Sequence, residues 1–230
     1  MKNRIIRLLL AWNYSLLFFV LMFLYGIPLL PSGVESHAYN ICLTLIFILS
    51  ALNIERYKNT ILTASMISLV LLWISILFRF DILIWLSRIA GVAFFCAIVF
   101  SFIATISRSL TVNQKVILQS INGYLLLGIM YSLIIGLLVS INPNTLNFPE
   151  GDMVSGYDAG SFSSFVYFVL ITISTVGYGD IVPGTPIARS LATFISISGQ
   201  LYIAIIIALL VGKFAGRQKY SGINQQSTNE

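Results

Sequence analysis

Charge is what this chain has least of. Only 9% of its 230 residues are Asp, Glu, Lys or Arg, against 58% hydrophobic ones, whereas a soluble domain carries about 25% charged residues. Water cannot solvate such a surface, so an ordinary globular domain is excluded and a chain covered largely by lipid is expected. The mean hydropathy of +0.94 says the same. Histidine is confined to His37, and cysteine to Cys42 and Cys96. None has a partner at metal-ligand spacing, and both thiols lie in apolar runs, where they read as helix-packing residues. There is no phosphate-binding glycine loop and no nucleophile paired with a histidine, so the chain reads as a non-enzyme without a cofactor. The formal charge of +5 is no signature of nucleic acid. Its basic residues fall singly between apolar runs rather than in a block.

What the chain does have is long apolar sequence. Uncharged stretches occupy residues 8–30, 38–54, 59–78, 89–107, 116–141 and 190–212, each near or above the roughly 20 residues that cross a bilayer as a helix. A seventh, 161–174, is apolar but too short to cross, so it should enter the membrane and return. The expected fold is all-α, with six transmembrane helices, a re-entrant helix and a loop. Lys2, Arg4 and Arg7 precede the first run as in a signal peptide. That run continues to Leu30, beyond the ~7–15 residues of a signal core, and no small-residue cleavage site follows, so an uncleaved anchor is expected. With the N-terminus inside, the cytoplasmic loops receive Lys2, Arg4, Arg7, Arg56, Lys58, Arg108, Lys115, Lys213, Arg217 and Lys219. The outer side receives Arg79 and Arg189, with Glu35, Asp81, Glu150, Asp152, Asp158 and Asp180. This asymmetry implies a multi-pass protein of the cell's inner (plasma) membrane with both termini cytoplasmic. The expected organisation is a four-helix domain over 1–110, a second unit over 111–215 and a short polar tail over 216–230.

The distinctive sequence is 161–186, SFSSFVYFVLITISTVGYGDIVPGTP. A short helix entering from outside would end near Ser174 with its free carbonyls, the negative end of its dipole, directed into the membrane, where a cation is stabilised. Gly177 and Gly179 permit unusual backbone angles at alternate residues, which lets successive carbonyls turn to one side of an extended strand. Irregular backbone at this depth is tolerated only when buried in protein or lining water. Rings of such carbonyls can replace the hydration shell of a bare cation. The segment 141–160, rich in Asn, Pro, Gly and acids, reads as an outer loop in which Glu150, Asp152 and Asp158 either concentrate cations or are merely solvated.

Thr175-Val176-Gly177-Tyr178-Gly179-Asp180 resembles the selectivity-filter signature of potassium channels, and the resemblance extends over about residues 115–215. It implies that Thr175, Val176, Gly177 and Tyr178 bind potassium ions, with Gly179 completing the filter, and that the chain forms a homotetramer, since each subunit supplies one filter strand. It also implies roles for residues around the filter. Tyr167 and Phe168 stand where the family often has an aromatic cuff, and Tyr167 could bond Asp180 or simply pack. Thr172 precedes the filter in the pore helix. Ile171 replaces a glutamate that some bacterial members pair with the filter aspartate. Gly199 falls where the family often places a gating hinge, with close helix packing as the alternative. The expected partners are potassium ions, membrane lipid and further copies of the chain.

Six spans with the pore last resemble voltage-gated potassium channels, but the arginine array of their fourth helix is missing. Here that helix, about residues 82–106, holds only Arg88, with Arg79 and Arg108 flanking it, so steep voltage dependence is not expected. Gly177-Tyr178-Gly179-Asp180 and Tyr157-Asp158 also fit the GxGD and YD patterns of intramembrane aspartyl proteases. Both aspartates would fall at the outer surface, however, and that family's PAL motif is missing. A potassium-transporter subunit would carry four degenerate repeats where this chain has one complete motif. A sodium or non-selective channel would lack the Tyr or the second Gly.

Overall fold

A computed structural model describes residues 2–29, 32–52, 58–78, 81–109, 113–148 and 159–226. The elements follow in the order α1 (Lys2–Gly26), α2 (Ser32–Leu52), α3 (Lys58–Phe78), α4 (Asp81–Arg108), α5 (Gln114–Ile141), β1 (Leu146–Asn147), α6 (Ala159–Ile173), β2 (Val182–Pro183) and α7 (Pro186–Gln226), with short 3-10 turns at Ile27–Leu29 and Pro143–Thr145. The protein is an all-α membrane protein. Among the described residues, α4, α5 and α7 each contain a stretch long and apolar enough to cross a bilayer. The loop acids Glu150, Asp152 and Asp158, and Tyr157 with them, lie outside the described residues.

α5 is the hub, packing against α1, α4, α6 and α7. Its ends are set by local chemistry. The Asn113 side chain accepts the Val116 N–H at 3.0 Å and so occupies one of the helix's free donors. At the other end the Asn142 N–H closes on Leu138 O, and Pro143, which cannot continue a helix, opens the 3-10 turn. α1 packs with Leu17, Leu21 and Leu24 fully buried, a spacing that keeps them on one helical face. The Asn122 side chain, buried in α5, donates to Tyr14 O of α1 at 2.9 Å, and the Tyr25 hydroxyl of α1 donates to Leu125 O at 2.7 Å. Such interhelical hydrogen bonds act where lipid supplies no hydrophobic force between helices. In the first four helices Phe47 stacks on Phe94 with ring centroids 4.5 Å apart, and Phe95 meets Phe47 edge-on at 5.0 Å.

Arg88 is half-buried, and its guanidinium donates to the Ser140 hydroxyl near the end of α5. Arg88 thus ties α4 to the C-terminal end of α5. α1 begins at Lys2, ahead of the uncharged run that starts at residue 8, and α7 continues to Gln226, into the polar stretch that follows Lys213. The stretch after Lys213 has few apolar residues and two glycines, Gly216 and Gly222, but no proline, and the helix runs through it.

Candidate functional site

α6 has 15 residues, which at 1.5 Å per residue span roughly 22 Å, short of a ~30 Å hydrocarbon core. A helix of this length cannot cross the core, and its last carbonyls, like those of any helix, need donors beyond its own turns. Leu170 O accepts the Ser174 N–H at 3.0 Å and its hydroxyl at 2.6 Å. Ile171 O accepts two N–H groups, from Val176 at 2.9 Å and Gly177 at 3.0 Å, and Thr172 O accepts the Thr175 N–H at 3.1 Å. The helix is thus capped by the first turn of the very segment that follows it. Thr172 is held in turn by its own hydroxyl, which donates to Phe168 O at 2.7 Å.

Beyond this cap the backbone alternates. Thr175, Gly177 and Gly179 have φ of +60°, +56° and +80°. A Cβ at Gly177 or Gly179 would meet nothing within 4 Å, so glycine is required there by the dihedral angle and not by space. Thr175 is the harder case, because a β-branched residue in the left-handed region is strained. Residues 174–180 are all exposed on the single chain, including Val176 at 53% and Tyr178 at 74%. The geometry puts a permissive backbone, free of its own secondary structure, at the negative end of a short helix.

The outer end of this strand is tied to the helix that delivers it. The Tyr167 hydroxyl donates to Asp180 Oδ2 at 2.6 Å. That bond holds the Asp180 carboxyl below the ordinary carboxylate range, since a donated hydrogen bond favours the charged form. Ile171 is buried and apolar, so the tyrosine supplies the carboxylate's partner. Phe168 is 3% exposed and packs into the core. Further out, β1 pairs antiparallel with β2, Leu146 opposite Pro183 and Asn147 opposite Val182, and the Gly184 N–H donates to Thr145 O at 2.9 Å.

The inner helix α7 meets this assembly at Gly199. A Cβ there would overlap the Ile173 side chain and lie 2.9 Å from its carbonyl oxygen. The next residue, Gln200, donates its side-chain amide to Ile173 O at 3.4 Å. On either side, α7 is bonded to α5. Tyr131 and Ser198 share a hydrogen bond of 2.7 Å, and the Tyr202 hydroxyl donates to Ser120 O at 2.8 Å. Tyr202 reaches that carbonyl over Gly123, where a Cβ would overlap its hydroxyl. Sequence reading passed over Gln200, Tyr202 and Gly123. The available signals were a polar residue beside Gly199 in an apolar helix and a glycine amid good helix formers.

Residues 125–215 match the protein-family model described as Ion channel. The chain is 33% identical over 64 residues to the inward rectifier potassium channel Kirbac3.1 of Paramagnetospirillum magnetotacticum, covering 28% of this chain and 22% of that one. It is 32% identical over 81 residues to two-pore potassium channel 1 of Arabidopsis thaliana, covering 30% and 22%. It is also 39% identical over 76 residues to the calcium-activated potassium channel slo-1 of Caenorhabditis elegans, covering 32% and 7%. The chain thus spans about a fifth or less of the length of these relatives.

Proposed function

We propose that this chain, whose residues 125–215 match the ion-channel model and whose relatives are potassium channels, is one subunit of a homotetrameric potassium-selective channel. The observation that carries this reading is the alternation of positive φ at Thr175, Gly177 and Gly179, placed at the inward-pointing end of a helix too short to span. Four such strands around an axis stack rings of carbonyl oxygens from Thr175, Val176, Gly177 and Tyr178, with the Thr175 hydroxyl as the innermost ring. These rings replace the hydration shell of potassium, and ions pass in single file down their electrochemical gradient. The ion is the cargo, and no covalent chemistry is involved.

The exposed filter supports assembly. Val176 and Tyr178 stand uncovered on one chain, and irregular backbone at this depth requires protein or water around it. The uncovered apolar face of α7, with Phe194, Ile197 and Leu201, offers further surface for neighbouring copies. Tyr167 and Asp180 act as a strut that keeps the outer end of each strand at a fixed distance from its pore helix. α1–α4 form a scaffold with one membrane-embedded arginine, so opening depends little on voltage.

The test is the reversal potential of the purified protein in a planar bilayer with potassium on one side and sodium on the other. A reversal near the potassium equilibrium potential, with barium block, is expected. Current that reverses near zero would overturn the selectivity.

A further inference from the structure

The accounting of carbonyls at the end of α6 leaves one that its own chain segment does not satisfy. Leu170, Ile171 and Thr172 are each closed by N–H groups of the filter turn. The Ile173 carbonyl instead takes the Gln200 side-chain amide of α7, 27 residues on. Ile173 lies two residues before Thr175, the strained residue at which the alternating backbone begins. At the same level α7 comes so close to α6 that Gly199 has no room for a Cβ, being filled by both the side chain and the backbone oxygen of Ile173.

We infer that Gln200 is a positioning residue of the filter: from the inner helix it completes the cap of the pore helix, and Gly199 is bare so that the amide can reach. The inference rests on the channel reading above and deepens it. A carbonyl inside a membrane with no donor turns toward whatever polar group or water it can reach. Freed from Gln200, Ile173 O would swing, and the peptide units between it and Thr175 would follow. In a tetramer all four anchors are lost together, so the innermost carbonyl ring loosens. The consequence is poorer discrimination between ions of different size, because ring geometry must match the shell it replaces. On this account Gly199 is the seat of a fixed contact, and the bonds at Ser198 and Tyr202 hold α7 in place on either side of it.

The experiment measures the potassium-to-sodium permeability ratio from bi-ionic reversal potentials of the full chain, comparing wild type with Gln200→Met and Gly199→Ala. The methionine keeps the length and volume of glutamine but cannot donate. Both variants are expected to lower the ratio at least about fivefold, the scale of one ordinary hydrogen bond, while size-exclusion chromatography shows tetramers like those of wild type. Gln200→Asn, which retains an amide of shorter reach, gives the same reading if the methionine variant does not assemble. A wild-type ratio in Gln200→Met or Gln200→Asn overturns the inference. So does a Gly199→Ala channel with altered open probability and unchanged ratio, the outcome a hinge would give. A wild-type channel that does not select potassium would instead sink the channel reading itself, before the variants are compared.

Discussion

Replacing Gly123 with alanine tests the contact between inner and outer helices most sharply. Three effects combine. Alanine is favoured over glycine in a helix interior by about 1 kcal/mol. The new methyl overlaps the Tyr202 hydroxyl and comes within 3.3 Å of its Cζ, and such overpacking costs about 1–3 kcal/mol. Moving the phenol also breaks its bond to Ser120 O, worth about 0.6–1.7 kcal/mol between membrane helices. The net expectation is a loss of about 2 kcal/mol. In a Tyr202→Phe background the hydroxyl is gone, its bond is already lost, and most of the overlap is relieved. The same glycine change should then be near neutral or slightly stabilising. The two substitutions are thus coupled by about 2 kcal/mol or more, the double variant being more stable than additivity allows. Unfolding in mixed micelles by a denaturing detergent, for both single variants and the double, measures this. A Gly123→Ala protein as stable as wild type, or strictly additive penalties, would refute the geometry.

Gly177→Ala should abolish selective conduction although the methyl has free space around it, because the left-handed backbone costs a non-glycine residue about 1–2 kcal/mol; retained potassium selectivity would contradict the filter assignment. Tyr167→Phe should raise the Asp180 carboxyl toward its ordinary range, readable by carbon-detected NMR of labelled aspartate. The wild-type Asp180 carboxyl is depressed, so the stability its bond supplies is complete above the usual aspartate range and fades only as pH falls through the lowered value. The contribution of this one bond should therefore persist on mild acidification and be lost only below the usual aspartate range, and that loss should be smaller in the phenylalanine variant. On the proposal that opening depends little on voltage, Arg88→Gln should leave the slope of open probability against voltage essentially unchanged in bilayer recordings; a marked change in slope would make Arg88 a sensor charge.

Much of the site is legible in the sequence because it is local. Two glycines two residues apart, an aspartate after them and a short apolar run before them lie within 26 consecutive residues, and backbone permissiveness is a property of residue type. Thr175 is the local exception. Its branched side chain favours extended backbone, and only the cap formed by Thr172 and Ile171 explains its φ of +60°. What the sequence conceals is pairing between helices. Tyr202 and Ser120 are 82 residues apart, and Asn122 and Tyr14 are 108 apart. Periodicity reveals that a helix has an apolar face but not which neighbour receives it. The β1–β2 pairing is hidden for a related reason, since two-residue strands carry no alternation to detect. The extent of α7 past Lys213 is not legible in composition, which reports what lipid accepts and not whether a polar stretch is helical.

The stitch between β1 and β2 has an implication for how this part of the chain can vary. It joins residue 146 to residue 183, so everything from the outer loop to the end of the filter is an excursion whose two ends are fastened together. Length added within 149–158 stays inside that excursion and costs mainly loop-closure entropy, about 0.6 kcal/mol per doubling, while the paired ends keep their register. The chain can therefore change in length between these two points without unfastening the turn after α5 from the turn before α7.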